Sequence, residues 1–515
     1  MTNPGNGLTR RAMLAGAGAL AIGGSGVPAA AVPAPRRTAQ DYYVTTVAQL
    51  DAALAAAAPG DSIVVQDRTW TDLHIVIGDG ANHGAPGAPI TLRAETRGGV
   101  TLSGASYINL ARDHWVIDGL VFRDGYLPSG DRGVIYFGLP LTGGGHAQAH
   151  HCELTQVTIE DYNPTNPAVQ YNWVRMMGTN NTVSYCYFSG KNHYLDLLAA
   201  HWAKDPATVP TNHWIHHNYF ANIPDGGGNG YGAVTPVQGG SPQESDFNVV
   251  EDNLFYRCDG ESEIISVKSS HNIVRRNTFV ECVGYISLRL GNNNDVSGNY
   301  FFASGVGTSP TYPGGIPLGE SGGVRVTGEG HRIYNNYIDG VSGSGFYVHN
   351  GNSSYPPVKD VEIVHNTVVD TGHSGIRIGT VLSSGNTPPE DLVIANNIVY
   401  SQSGVSLTYD TEPTSVSYQG DIMYGAPIDV SPVPAGIQQV DPQLTPVAGN
   451  YPVYQPGAGS PAIDAAAGNF GYVDDDVAGR GRPAGAGNDV GAHESSVDPV
   501  VYPPLTGADV GPGYL

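Results

Sequence analysis

Two carboxylates, a lysine and an arginine stand within the stretch from Cys258 to Leu290: Glu261, Glu263, Lys268 and Arg289. This set suits the removal of a proton from a carbon that sits beside a carboxylate. The C5 proton of a uronic acid resists removal because the neighbouring carboxylate already carries negative charge. Neutralising that carboxylate, by a bound cation or by arginine, stabilises the enolate-like intermediate. A base is then needed near C5 and a proton donor near the leaving oxygen, and lysine serves as base when nearby positive charge lowers its pKa. Glu261 and Glu263 are hard oxygen ligands of the kind Ca²⁺ accepts.

These residues can meet only if the chain stacks them, and the sequence carries a repeat that does so. Its marker is an asparagine with an apolar residue three before and another two after, as in Val250/Asn253/Phe255, Val274/Asn277/Phe279 and Val296/Asn299/Phe301. The same frame fits Ile215/Asn218/Phe220, Ile333/Asn336/Ile338, Ile363/Asn366/Val368 and Ile394/Asn397/Val399, and, with the asparagine replaced, Val183/Cys186/Phe188, Leu154/Val157/Ile159 and Val116/Gly119/Val121. The spacing between central positions runs from 22 (Asn277 to Asn299) to 38 residues (Gly119 to Val157), a short unit with loop insertions. A short β-rich coil cannot close its own core and must stack on its neighbours. The expected fold is all-β, a single-domain right-handed parallel β-helix with a capping helix at its N-terminal end. An amide both donates and accepts, so the stacked asparagines should form an internal ladder with no chemical role.

Within that frame Lys268 lies nine residues before Asn277 and Arg289 ten before Asn299, which sets them at nearly the same place on neighbouring coils. Alternation in Tyr285 to Leu290 puts Ile286, Leu288 and Leu290 on one face and Ser287 and Arg289 on the other. Five residues separate Glu263 from Lys268, so a bend must intervene if both are to line one groove.

Composition agrees: 70 Gly and 37 Pro with 14% charged residues leave little room for long charged helices. The one strong helical pattern begins at Thr46, as N-cap, and stops at Pro59-Gly60. Residues 1–34, with Arg10-Arg11 ahead of an apolar run and Ala-rich cleavage positions near Ala31 or Ala34, read as a twin-arginine export signal, which predicts a secreted protein with no membrane span. Residues 40–400 should form the β-helix, 401–495 the last coils and a closing segment, and 496–515 a Pro/Gly-rich tail. The four cysteines make no disulfide framework; Cys258 and Cys282 should stack on adjacent coils, and reduced thiols suit that geometry better than a bridge.

The motifs Pro59-Gly-Asp61, Pro89-Ile-Thr91, Cys258-Asp-Gly-Glu261-x-Glu263 through Lys268, Ser287-Leu-Arg289, Gly322-Gly-Val-Arg325 and His331-Arg-Ile-Tyr-Asn-Asn336 resemble those of polysaccharide lyase family 6, the family of alginate lyases and chondroitinase B. The resemblance implies β-elimination on a uronate polymer, alginate first, with Lys268 as base, Arg289 as acid, and Glu261, Glu263 and Asn229 as ligands of Ca²⁺. It implies that Arg325 binds a substrate carboxylate or sulfate. His349, expected in a loop after Phe346-Tyr-Val, and Tyr231, beside Asn229-Gly230, are the further candidates for substrate contact. The chain departs from the family at Leu290, where a histidine is usual, at Val267, where an asparagine is usual, and at Gly230-Tyr231-Gly232, which lacks the glutamate and arginine that commonly follow the Asn-Gly pair.

A formal charge of −23 repels a polyanion at long range, so capture must rely on a local basic strip, expected from Lys268, Arg275, Arg276, Arg289, Arg325 and Arg332. Nucleic acid is excluded as a partner on the same ground, and a monomer is expected. Two other readings stay open: a lyase acting on dermatan sulfate or another uronate glycan, and a β-helix that binds polysaccharide without cutting it.

Overall fold

The computed structural model describes residues 38–515 apart from 131–132, 167, 202–209, 239–244, 305–318, 353 and 382–385. The expected export leader, 1–34, lies outside the described residues. Each coil gives one short strand to each of three 14-stranded sheets, here sheets I, II and III in the order the chain visits them. Trp214–His216, Tyr219–Ile223 and Val234–Gln238 make one such coil. Strands stack in parallel on their neighbours, Val250 over Val274 over Val296 in sheet I and Phe255 over Phe279 over Phe301 in sheet II. The chain is a right-handed parallel β-helix, and its sheets extend beyond the ten coils that fit the sequence frame, seven of them with the asparagine.

The marker works because of the corner between sheets I and II. The residue before the ladder asparagine takes a left-handed backbone, at φ 54° for Asp252, 53° for Arg276 and 65° for Gly298, and the following amide turns inward. Asn253 Nδ2 donates to Asn277 Oδ1, Asn277 to Asn299 and Asn299 to Asn336, at 3.0, 3.0 and 2.9 Å. The row continues through Asn366 and Asn397 and ends on Asp421 Oδ1 at 2.9 Å. Beside it, Phe220, Phe255, Phe279 and Phe301 stack with centroids 4.6–4.9 Å apart. A second polar row, with Asn272 Nδ2 donating to Asn294 Oδ1 at 3.0 Å, runs ahead of the sheet I strands. The marker gave no sign of it, because the amide there precedes its strand in a variable loop.

The N-terminal helix spans Val47–Ala56, with Thr46 Oγ1 accepting from the Gln49 amide and Leu50, Ala53 and Leu54 buried against the first coil. All four cysteines are free and buried, and Cys258 N–H points at Cys282 Sγ on the next coil, 3.4 Å away. Past the last coils the chain doubles back along the outer face of sheet II. Val453, Val477 and Ala492 pack there on Tyr300, Phe302 and Tyr337, and the terminal residues continue until Tyr514 reaches Thr158 Oγ1 at 3.0 Å. No described helix is long and apolar enough to cross a membrane.

Candidate active site

Sheet III carries the candidate residues. Strand Glu263–Val267 pairs with Gly284–Leu288, and that with Ser321–Val326, in the register Ser266–Ser287–Arg325 and Val267–Leu288–Val326. Lys268 and Arg289 each follow immediately, so they occupy equivalent positions on adjacent coils, about 4.8 Å apart at the backbone. The bend expected between Glu263 and Lys268 is a β-bulge: Glu263 pairs with Tyr285 and Ile265 with Ile286, which leaves Ile264 extra. Ile264 and Ile265 both enter the core. The bulge reverses the alternation and brings Glu263 onto the same face as Ser266, whose hydroxyl donates to Glu263 Oε2. The next coil repeats the shift between Gly284 and Ile286.

Glu263 is the hub. Arg289 donates to its Oε2 at 3.1 Å, Arg325 to its Oε1 at 3.3 Å, and Ser287 to the same oxygen at 3.4 Å. Burial alone would raise this carboxyl, but Arg325, Arg289 and the Ser266 hydroxyl outweigh it and hold Glu263 below the usual range. Glu261, two residues earlier, has the opposite fate: burial first, then the charges of Glu263 and Asp196, push it up to about 8. Arg289 also donates to Asn229 Oδ1 at 3.3 Å. Burial acts to lower its pKa, and Glu263, with Tyr355 and Glu261, more than reverses this. Lys268 is half-buried and makes no hydrogen bond or ion pair to another described residue.

Among the described residues no three His, Cys, Asp or Glu side chains gather as a metal site. The donor set still fits a hard cation. Glu261 is a buried carboxyl with too much negative charge around it, Glu263 and the Asn229 carbonyl lie on the same side of Arg289, and all three offer oxygen. Gly232 keeps the space open, since a Cβ there would lie 3.2 Å from Asp196 Oδ1 and 3.3 Å from Glu261 Oε1. The small residue that breaks the family pattern therefore makes room for carboxylates. Asp196, which accepts from Gly232 N–H at 3.1 Å and Thr235 Oγ1 at 2.7 Å, was invisible in the sequence because its coil lacks the asparagine marker.

The residues expected to touch substrate divide. Tyr231 is half-buried at the rim, edge-on to Tyr194 at 5.7 Å. Arg325 is only 2% exposed, and its Nε donates to His349 Nε2 at 3.0 Å. His349 lies not in a loop but at the end of strand Ser344–His349, fully buried. Burial first, then Arg325 and Arg377, lower its pKa well below the usual value, so it stands as a neutral acceptor. As they stand, Arg325 and His349 have no surface to offer a polymer; they fix the position of Glu263. Tyr355, which sequence reasoning did not single out, lies over both guanidinium groups, 6.0 Å from that of Arg289 and 5.6 Å from that of Arg325.

The expected basic strip does not form. Arg275, Arg276 and Arg332 belong to sheet I or its corner and are paired with Glu251, Asp252 and Asp295 at 2.6–2.8 Å. Register on sheet III brings other arginines into line instead: Arg175 on one side, in the column of Tyr136 and Ala199, and Arg377 on the other, in the column of Arg325 and Tyr347.

A family model described as chondroitinase B matches residues 44–435. Among solved structures, the family 6 alginate lyase AlyGC superimposes with a TM-score of 0.71 at 30% identity over 81% of this chain, which spans 55% of AlyGC's length. A mannuronic acid-specific family 6 lyase from human gut microbiota gives 0.65 at 25% identity, over 78% of this chain and 91% of that one. A family 6 polysaccharide lyase from Pseudopedobacter saltans gives 0.61 at 28% identity, over 76% and 94%. With the fold, the register of Lys268 on Arg289 and this match over most of its length, the chain belongs to polysaccharide lyase family 6, the chondroitinase B family.

Proposed function

We propose that the protein is a secreted lyase that cuts a uronic-acid polymer, alginate first, by β-elimination. The observation that carries the reading is the stacking of Lys268 and Arg289 on adjacent coils, one step from a carboxylate fixed by two arginines. Lys268, with no protein partner among the described residues, is placed to take the C5 proton. As the C4–O4 bond breaks, its electrons pass to the leaving oxygen and the C5–H pair becomes the C4=C5 double bond. Arg289 hydrogen-bonds that oxygen and supplies its proton, because a sugar alkoxide is a strong enough base to take one from a guanidinium.

A calcium ion held by Glu261, Glu263 and Asn229 supplies neutralisation of the uronate carboxylate when bound. Arg289 now uses Glu263 Oε2 and Asn229 Oδ1 as its own acceptors, so those oxygens are shared between two cationic claims. Arg289 freed of them would hold its proton less tightly, since burial lowers its pKa and Glu263 is the first of the groups, with Tyr355 and Glu261, that raise it.

Alginate as substrate is supported by what AlyGC and the gut lyase are said to act on. A dermatan sulfate substrate is the second reading, and it needs a cation for the sulfate; Arg377, 20% exposed, is already held by Asp410 at 2.7 Å and would have to give up that partner. Comparing turnover of polymannuronate, polyguluronate and dermatan sulfate tests the choice; turnover of dermatan sulfate alone would overturn alginate.

A further inference from the structure

The outer face of sheet I carries an aromatic strip one to two coils before that of Lys268, on a different side of the solenoid. Trp214 is 44% exposed, its indole lies against His216 with centroids 3.9 Å apart, and its Nε1 donates to Glu251 Oε1 on the next coil at 2.7 Å. Tyr185, 36% exposed on the coil before, stacks on His217 at 4.9 Å and meets His216 edge-on at 5.8 Å. The rings are thus fixed in place before any ligand arrives.

Two of these residues sit where the backbone disfavours them. Tyr185 and His217 occupy the left-handed corner, at φ 49° and 54°, that Gly119, Asp252, Gly298, Asn335, Asn396 and Gly420 fill in some coils and Gln156, Arg276 and His365 in others. His365 is a ring at the same corner that is buried against Asp489, whereas Tyr185 leaves its ring exposed there. Neither ring is needed by the core, whose aromatic stack is the phenylalanine row inside.

We infer that this strip is a second, non-catalytic binding site for a polysaccharide chain, with sugar rings lying flat on Trp214 and Tyr185. Fixed aromatic faces match the C–H faces of pyranose rings, and ordering them in advance lowers the cost of binding. The rim is polar and suits hydroxyl groups: Glu251 accepts from both Trp214 and Arg275, whose side chain is 40% exposed. The polymer's identity as a uronate rests on the proposed function; the strip itself does not.

The test uses the Lys268→Ala protein, so that the polymer survives, in native gels cast with polymannuronate, polyguluronate, dermatan sulfate or no polymer. Adding Trp214→Ala and Tyr185→Ala should weaken retardation by about five- to tenfold on at least one polymer. Trp214→Phe, which keeps a ring, should retain most of it and guards against a folding defect. In the active background the same pair should leave turnover of short oligouronates unchanged and lower turnover of dilute polymer. Equal retardation with and without the pair would overturn the strip, as would a loss of dimer on size exclusion, which would make it a contact between copies. Failure of the lyase reading shows separately, as absence of oligouronate turnover.

Discussion

Asn253, Asn277 and Asn299 lie one above another inside the solenoid, and Ser266, Ser287 and Arg325 lie one above another outside sheet III. The backbone stacking is the same in both rows; the side chains are not. Each ladder amide finds in its neighbour the acceptor it needs, so the row closes without charge, and repetition is its whole purpose. On sheet III neighbouring positions carry unlike groups. One carboxylate gathers two guanidinium groups, another is left crowded by negative charge, and a lysine remains without a partner among the described residues. Repetition builds the scaffold, and its interruption on one face makes the chemistry.

The largest effect expected from breaking this difference is at Lys268. Lys268→Ala should lower turnover by about 10²–10⁴, read with the preferred polymer, with an unchanged melting midpoint because the side chain holds nothing in place. Next comes the ladder itself. Asn277→Leu takes the acceptor from the Asn253 backbone N–H and one of three from its side chain, removes the donor to Asn299, and should cost about 3 kcal/mol in urea unfolding, while kcat of the surviving folded protein stays the same. A stability loss with kcat also falling would mean that ladder and site are not separable.

His349→Leu removes the acceptor that positions Arg325. It should reduce kcat by about tenfold, and His349→Gln, which restores an acceptor, should recover much of it. Failure of the glutamine to rescue would assign His349 to packing alone.

A gain in stability, not a loss, is expected at the ladder's end. Burial pushes the Asp421 carboxyl up from 3.8 to about 7, so the folded chain holds a proton there that the unfolded chain gives up. That contribution to stability is present at low pH and is lost as pH rises from about 4 to 7. Asp421→Asn should continue the ladder with an amide, flatten this part of the pH profile, and add about 2 kcal/mol at pH 8. An unchanged slope would show that another group titrates there.

Much of this was legible from residues alone. The asparagine frame set the coils in register, and counting from it put Lys268 beside Arg289, because a ladder fixes distance along the axis wherever loops do not intervene. What the frame could not give was the direction in which a side chain points once a bulge interrupts alternation, or what covers it. Arg325 and His349 read as groove residues, yet Glu263 and a neighbouring strand enclose them. Arg275, Arg276 and Arg332 sit near Lys268 in sequence, yet the corner sends them to another face, where carboxylates of the preceding coil neutralise them. Asp196 and Tyr355 belong to stretches without the marker, and only the folded chain brings them to the site.

Elimination leaves a double bond conjugated to the uronate carboxylate, which absorbs in the ultraviolet, and hydrolysis or mere binding does not. The purified protein should therefore be followed by absorbance against polymannuronate, polyguluronate, dermatan sulfate, hyaluronan and pectate, each with Ca²⁺ and with chelator. A rise on the alginate polymers that chelator removes and that Lys268→Ala abolishes is the expected result. A flat trace on every polymer, with binding retained, would contradict a lyase and leave a β-helix that holds polysaccharide without cutting it.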